Sequence, residues 1–356
     1  MNISPINRDY WPTREWRTAD PVSAGMKPEN FTVLEQMINS QYRNINGIAV
    51  IRKGYLIFER YYNGNTPLDT HNVASVTKSI ISALIGIAID AGFIKSVDQK
   101  VLDFFPEYVA DPGDIRKCII TIKHLLTMTA PIASKTSGNR WEPLDRLRRQ
   151  SDWIKYILDL LGKGETGKFQ YSTAGVHLLS AIITRTTGMC AREFANERLF
   201  RPLGMREIPE HKMESFQLDD VFGKNVTGWI SDPQGNTTGG WGLTITLRDM
   251  ARFGFLYLNR GIWEDKRIIS EAWIGESTAP HSTTWIDEPT AKYGYLWWLR
   301  EKDNIFAYAA LGSGGNVICC IPEKDLIVAI ASKIVSKPQD PWLLFDKGII
   351  PAIVLL

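Results

Sequence analysis

Ser75 and Lys78 stand three residues apart in Ser75-Val76-Thr77-Lys78, directly before the apolar run Ser79-Ile80-Ile81-Ser82-Ala83-Leu84-Ile85-Gly86-Ile87-Ala88-Ile89. On a helix, residues i and i+3 share a face, so a hydroxyl in the first turn has an amine beside it. A serine is a weak nucleophile at neutral pH and needs a base. A lysine held in an apolar, partly desolvated place can lose its proton and serve as one. The helix N-terminus adds free N–H groups and partial positive charge. No other serine in the chain is followed by a lysine three positions on. The run after Lys78 marks a buried helix rather than a solvated one, and a lysine at the mouth of such a helix needs a reason to be there.

Two further stretches carry chemistry. Phe169-Gln170-Tyr171-Ser172-Thr173-Ala174-Gly175 lies between a polar Gly/Lys loop and the apolar stretch Val176 to Thr187. Tyr171 therefore falls on a turn before a helix, where a phenol can point into a cleft. Near the C-terminus, Ala309-Ala310-Leu311-Gly312-Ser313-Gly314-Gly315 joins an aromatic-rich strand to the run Val317-Ile318-Cys319-Cys320-Ile321. Glycines at such a strand edge let a backbone approach a ligand closely.

A Ser/Lys pair, then a tyrosine on a loop, then a Gly-rich strand edge resembles the serine β-lactamase and penicillin-binding protein superfamily. The resemblance is strongest to the class C β-lactamase-related branch, which holds esterases, D-amino-acid peptidases and hydrolases of nylon-oligomer amides. Family-like phrases recur in order over nearly the whole chain. They are His71-Asn72-Val73-Ala74, Ile122-Lys123-His124-Leu125-Leu126-Thr127-Met128-Thr129, Leu199-Phe200-Arg201-Pro202-Leu203-Gly204-Met205, Gly239-Gly240-Trp241-Gly242-Leu243 and Asp249-Met250-Ala251-Arg252-Phe253-Gly254. The resemblance implies an α+β, β-lactamase/transpeptidase-like fold and a serine hydrolase that forms an acyl-enzyme on Ser75, with no cofactor and no metal. It further implies that Tyr171 exchanges the proton with Ser75 and the leaving group while Lys78 holds the tyrosine's pKa down. The backbone N–H groups of Ser75 and Ser313 are the implied oxyanion donors.

Two departures bear on the substrate. The second box of β-lactamases is usually Tyr-x-Asn, and here Thr173 replaces the Asn that grips the amide side chain of a β-lactam. The third box is usually Lys-Thr-Gly, and here it is Ala310-Leu311-Gly312, without the cation that receives the substrate carboxylate. Both changes remove β-lactam recognition and leave the acyl-transfer parts in place. A small neutral ester or amide is therefore the expected substrate, with Trp241, Leu311, Gly312 and Thr173 as substrate-binding residues. Arg300 or Lys302 is a substitute cation if the fold brings it into the cleft. A true β-lactamase or D-amino-acid peptidase is the alternative. A catalytically silent binding or sensor protein on the same fold is a second one, disfavoured because Ser75, Lys78 and Tyr171 are all present.

The pattern of elements agrees with an α+β plan. Gly47 to Ile51 and Tyr55 to Tyr62 read as a hairpin about Lys53-Gly54. Asn304 to Leu311, Val317 to Ile321 and Leu326 to Ser332 read as three more strands. Helices are expected at Pro28 to Tyr42, Ser75 to Ala91, Ser151 to Leu161, Ala174 to Thr187, Ala191 to Leu199 and Thr246 to Asn259, with Ser151 and Thr246 as N-caps. Strands from both chain ends with helices between them predict an antiparallel sheet flanked by helices and an inserted all-helical lobe. The expected lobes are 1–70 plus 240–356 and 71–239, forming one catalytic unit over about 28–340.

The chain has 356 residues, 44% hydrophobic, enough for a large core, and a net charge of +2 that suggests neither a nucleic-acid nor a membrane-surface partner. The polar stretch from Met1 to Ala24 lacks an apolar signal core, and no window is long and apolar enough to span a bilayer, so a cytoplasmic address is expected. The four cysteines, two of them adjacent, do not suggest a disulfide framework and read as buried free thiols.

Other motifs weaken on inspection. Gly162-Lys163-Gly164-Glu165-Thr166-Gly167-Lys168 has the spacing of a phosphate-binding loop, but Phe169 stands where the Mg²⁺ ligand belongs. Gly-x-Ser-x-Gly, His-Glu-x-x-His and Cys-x-x-Cys are absent. His124 and His177 read as core histidines with a backbone partner, and His71 as structural. Trp241, set inside a glycine cluster, is the tryptophan placed near a pocket.

Overall fold

The computed structural model describes residues 8–111, 113–133, 144–215, 217, 220, 225–284 and 291–354. Lys53 and Gly54 lie at φ 52° and 88°. Two successive left-handed residues are what a tight hairpin needs, and they join β1 (Ile45–Arg52) to β2 (Tyr55–Tyr61). A short ladder follows, β3 (Thr70–Asn72) against β4 (Thr244–Thr246). Besides two small two-stranded ladders, Glu210–His211 with Trp229–Ile230 and Ile262–Trp263 with Lys266–Arg267, the later strands are β5 (Ser282–Thr283), β6 (Lys292–Tyr293), β7 (Trp298–Lys302), β8 (Ile305–Gly312), β9 (Asn316–Ile321) and β10 (Leu326–Ser332). Apart from the short ladders, these strands form one eight-stranded sheet in the order β2-β1-β10-β9-β8-β7-β6-β5. Every neighbouring pair in it is antiparallel.

The last strand of the chain thus pairs with the first, as the distribution of strands along the sequence predicts. Three further strands at one end of the sheet, β5 to β7, are absent from the sequence-based expectation. β5 and β6 are two residues each, and β7 carries Arg300, Glu301 and Lys302, so none shows an apolar run. The central strands are apolar without interruption because both sheet faces are covered. Ala310, Ile318, Cys320, Ile327 and Ala329 join one apolar cluster, and Ala309, Val317, Cys319, Val328 and Ile330 join the other.

The first cluster is roofed by helices. These include α2 (Thr77–Asp90), α4 (Trp153–Leu160), α5 (Thr173–Thr187), α6 (Leu247–Leu258) and α7 (Glu271–Ser277). The second is covered by α1 (Pro28–Gln41) and by the C-terminal residues Leu344, Phe345 and Ile349. A short α3 (Ile122–Leu126) starts in a capping box, with Thr121 and His124 satisfying each other's N–H groups. Thr246 caps α6 as expected, but Asp152 rather than Ser151 caps α4, accepting from the Lys155 N–H. The second of two adjacent polar residues takes the cap because it lies next to the first apolar turn. The helix expected from Ser75 begins instead as a 3₁₀ turn, Ala74–Val76, and becomes α-helical at Thr77. Among the described residues no helix is long and apolar enough to cross a membrane.

Gly86 lets α7 cross α2 closely. A Cβ there would stand 2.4 Å from Cδ1 of Trp273, an indole 6% exposed. Alanine would gain about 1 kcal/mol of helix propensity, but overpacking a filled core costs about 1–3 kcal/mol. Gly86→Ala should therefore lower stability, by roughly 1 kcal/mol net, seen as a lower urea midpoint. An unchanged or higher midpoint would show that the indole has room to move.

Candidate active site

Backbone geometry at the end of β3 sets the serine. The Val73 N–H donates to Leu243 O at 3.1 Å, continuing the β3–β4 ladder by one step. Ala74 then sits at φ 49°, in the left-handed region, and the chain turns through Ser75 into α2. Lys78 lies in the first turn of α2 and is 1% exposed. Its Nζ donates to Ser75 Oγ at 2.9 Å and to Gly240 O at 2.8 Å. Burial lowers its pKa from 10.5 to about 7, because an ammonium out of water is costly and neither oxygen partner carries a full charge.

Tyr171 is brought to the same place from a separate loop. Its ring centroid lies 5.0 Å from Lys78 Nζ, and the ring stacks on Trp298 at 5.9 Å. The loop is tied down on both sides of the tyrosine. The Gln170 N–H donates to Met128 O at 2.7 Å and the Ser172 N–H to Met128 Sδ at 3.2 Å. Ser172 Oγ accepts the Gly175 N–H at 3.1 Å and so caps α5. Thr173 is the first residue of that helix and is half-buried, its methyl group turned toward Gly240.

The end of β8 closes the other side. A Cβ on Gly312 would stand 2.2 Å from Val73 O and 3.3 Å from Ser75 N, so this strand lies flush against the serine turn. Ser313 follows and is exposed. The turn after it is held by Asn316, which donates to Ser313 O at 2.9 Å and accepts the Ser332 N–H at 2.9 Å. The structure thus gathers Ser75, Lys78, Tyr171, Thr173 and Gly312 around one point, with Ser313 at the strand end.

Two expected substrate-binding residues are corrected. Trp241 is 2% exposed and stacks on Trp153 at 5.9 Å, so it is a core residue. Its neighbour Gly240 reaches the site instead, through its carbonyl. A Cβ on Gly240 would meet Thr173 Cγ2 at 2.5 Å and Lys78 Nζ at 3.2 Å, so only glycine fits. In the sequence, the glycine cluster itself is the signal for this close approach. Leu311 packs on the second apolar cluster, across the sheet from Lys78, because side chains alternate along a strand. Ala310 faces the Lys78 side instead, 1% exposed.

The substitute cations are elsewhere. Arg300 makes a two-pronged pair with Asp346, both contacts at 2.8 Å, and Lys302 joins it at 2.6 Å. His177 has a carboxylate partner where a backbone one was expected. Its Nε2 lies 2.9 Å from Asp232 Oδ2, with both side chains fully enclosed. Burial opposes ionisation of Asp232, but hydrogen bonds from His177 and Asn236 outweigh it and hold the carboxyl below its usual range. Gly162 to Lys168 forms the loop leading to Tyr171, with the Gly167 N–H donating to Thr129 O at 3.0 Å. Among the described residues no three His, Cys, Asp or Glu side chains gather where they could hold a metal.

Comparison with known proteins places this arrangement. The model of the beta-lactamase family matches residues 35–342. The chain belongs to the beta-lactamase family. It is a serine hydrolase of that family. Among curated proteins it is similar to a 6-aminohexanoate-dimer hydrolase of Paenarthrobacter ureafaciens, 26% identical over 86% of this chain and 76% of that one. Among solved structures it is similar to a putative 6-aminohexanoate-dimer hydrolase from Bacillus anthracis, with TM-score 0.71 and 20% identity, covering 89% of this chain and 80% of that one. It is also similar to EstCE1, described as a hydrolase with promiscuous acyltransferase activity, with TM-score 0.71 and 16% identity over 94% of this chain and all of that one. The structural likenesses establish the fold as β-lactamase/transpeptidase-like.

A lysine lowered to about 7 by burial changes charge in the neutral range. A step that needs its free amine gains as pH rises. Labelling of Ser75 by an uncharged fluorophosphonate should accelerate about tenfold per pH unit below pH 7 and level off above about pH 8. A rate flat from about pH 5 to 9 would show that the amine keeps one form throughout.

Proposed function

We propose that this chain hydrolyses small neutral esters or amides through an acyl-enzyme on Ser75. One observation carries the reading: Nζ of the buried Lys78 lies 2.9 Å from Oγ of Ser75, which is partly open to solvent. That is hydrogen-bond distance between a nucleophile and its base. Ser75 Oγ attacks the carbonyl carbon and yields its proton to the Lys78 amine. The resulting oxyanion accepts hydrogen bonds from the backbone N–H groups of Ser75 and Ser313. Collapse expels the alcohol or amine, which takes a proton through Tyr171 beside Lys78. Water then attacks the acyl-enzyme by the reverse path and releases the acid.

The substrate class is argued from missing charge. Ala310 stands where a β-lactamase has its lysine, and its side chain is packed in an apolar cluster. Arg300 and Lys302 are engaged with Asp346. Thr173 offers a hydroxyl and a methyl group in place of a carboxamide. Nothing in this set calls for a substrate carboxylate. The relative named as a 6-aminohexanoate-dimer hydrolase supports an amide, and the neighbour described as a hydrolase with acyltransferase activity supports acyl transfer.

Fluorophosphonate treatment should add one label, mapping to the Ser75 peptide and lost in Ser75→Ala. Tyr171→Phe should lower kcat for an ester by about 10²- to 10⁴-fold with an unchanged melting temperature. A label that persists in Ser75→Ala, or Tyr171→Phe turning over at the wild-type rate, would remove the corresponding role. An unlabelled wild-type protein would favour a silent binding protein.

Substrate preference is tested on one preparation. A charge-assisted hydrogen bond to a carboxylate is worth roughly 1.5–3 kcal/mol, so its absence costs on the order of ten- to a hundredfold in kcat/KM for a β-lactam. The kcat/KM for p-nitrophenyl butyrate should exceed that for nitrocefin by at least that margin. A nitrocefin value equal to or above the ester value would overturn the preference and restore the β-lactamase reading.

A further inference from the structure

Ala74 has a side chain, yet it occupies φ 49°. A left-handed backbone costs a non-glycine residue roughly 1–2 kcal/mol, and it persists only where its surroundings enforce it. The enforcing contacts are specific. Asn72 Oδ1 accepts the Ala74 N–H at 3.0 Å, an Asx-turn that closes over the residue between them. On the other side of Ala74, Thr77 Oγ1 donates to Ala74 O at 2.7 Å, and Thr77 is fully buried. The Ala74 N–H and C=O are thus each gripped by a side chain.

The grip controls the residue that follows. The Ala74 dihedrals set where the Ser75 N–H and Oγ point. There is little room for error, since Val73 O and Ser75 N stand 2.2 Å and 3.3 Å from where a Gly312 Cβ would be. Asn72 is itself anchored, as the last residue of β3, opposite Thr244 in β4. Its Nδ2 is buried with no partner among the described residues. An amide whose donor half is left unsatisfied is kept for its acceptor half.

We infer that Asn72 is a positioning residue for the nucleophile: by accepting the Ala74 N–H it holds Ala74 left-handed, so that Ser75 presents its hydroxyl to Lys78 and its N–H alongside the end of β8. The inference rests on Ser75 being the nucleophile. It makes Asn72 act through Ala74 alone, without touching substrate.

That route has a suppressor. Glycine adopts the left-handed conformation at little cost, so Ala74→Gly should relieve the need for Asn72. The rate of Ser75 labelling by a fluorophosphonate and the kcat and KM for p-nitrophenyl butyrate would be measured in full-length variants. Asn72→Leu, which matches the shape without the acceptor, should slow labelling and lower kcat about tenfold, the effect of one lost hydrogen bond, with KM within about twofold. Asn72→Asp, which keeps the acceptor, should stay within about threefold of wild type. Asn72→Leu/Ala74→Gly should recover most of the lost rate. If Asn72→Leu does not fold, Asn72→Ala is read in its place, since it also removes the acceptor. A folded Asn72→Leu or Asn72→Ala with wild-type rates overturns the inference, as does a loss that Ala74→Gly fails to recover. A wild-type protein that is never labelled at Ser75 overturns the hydrolase reading and this inference with it.

Discussion

The removal of one amine from water governs this molecule. Lys78 enters the core with, among the described residues, two oxygens to receive its protons, Ser75 Oγ and Gly240 O, and its pKa falls to about 7. An amine with pKa 10.5 in the unfolded chain therefore binds its proton less tightly once folded. The folded protein bears the full penalty below about pH 7, and the penalty fades as pH rises toward 10.5. The same burial that costs stability lets the amine lose its proton near neutrality, as the proposed base must. Small residues around it, above all Gly240, let two backbone segments close on the amine without admitting water.

Both oxygens are delivered from one short ladder. β3 leads through Asn72 and Ala74 to Ser75, while the segment entering β4 carries Gly240. Lys78 and Gly240 are 162 positions apart in the chain, and the pairing of Thr70–Asn72 with Thr244–Thr246 brings them together. The large sheet supplies the third side. Because β1 pairs with β10, and β8 lies two strands further in, the glycine end of β8 meets the serine turn. The residues proposed for acyl transfer therefore sit on rigid elements, with loops only at Tyr171 and beyond Gly312.

On the proposed reading, selectivity in this site is built by omission. Ala310 fills a position with packed methyl where charge would attract a carboxylate, and the basic residues Arg300 and Lys302 of β7 are engaged with Asp346, away from the serine. Alternation along β8 sends Leu311 to the opposite sheet face, so it is the small Ala310 and the bare Gly312 that border the serine side. A neutral carbonyl substrate needs from such a wall only room and two backbone donors.

The residue types and spacings of Ser75, Lys78 and Tyr171, and the hairpin about Lys53-Gly54, were legible in the sequence because each rests on local chemistry. A hydroxyl and an amine three residues apart, a phenol before a helix cap, and a left-handed dipeptide between two β-runs are short-range signals. So is the apolar length of β9 and β10, which records burial on both faces. What the sequence could not show depends on which side of an element meets which neighbour. Trp241 looked like a pocket residue and is core, while the glycine before it holds the lysine. Leu311 and Ala310 differ by one position, and only the sheet's register decides which faces the serine. Arg300 and Lys302 found their carboxylate 44 to 46 positions away, in Asp346. Strands β5 to β7 are too short and too charged to carry a period of their own. Their pairing, like the left-handed turn at Ala74, is imposed by contacts with segments far along the chain, and such contacts exist only once the chain has folded.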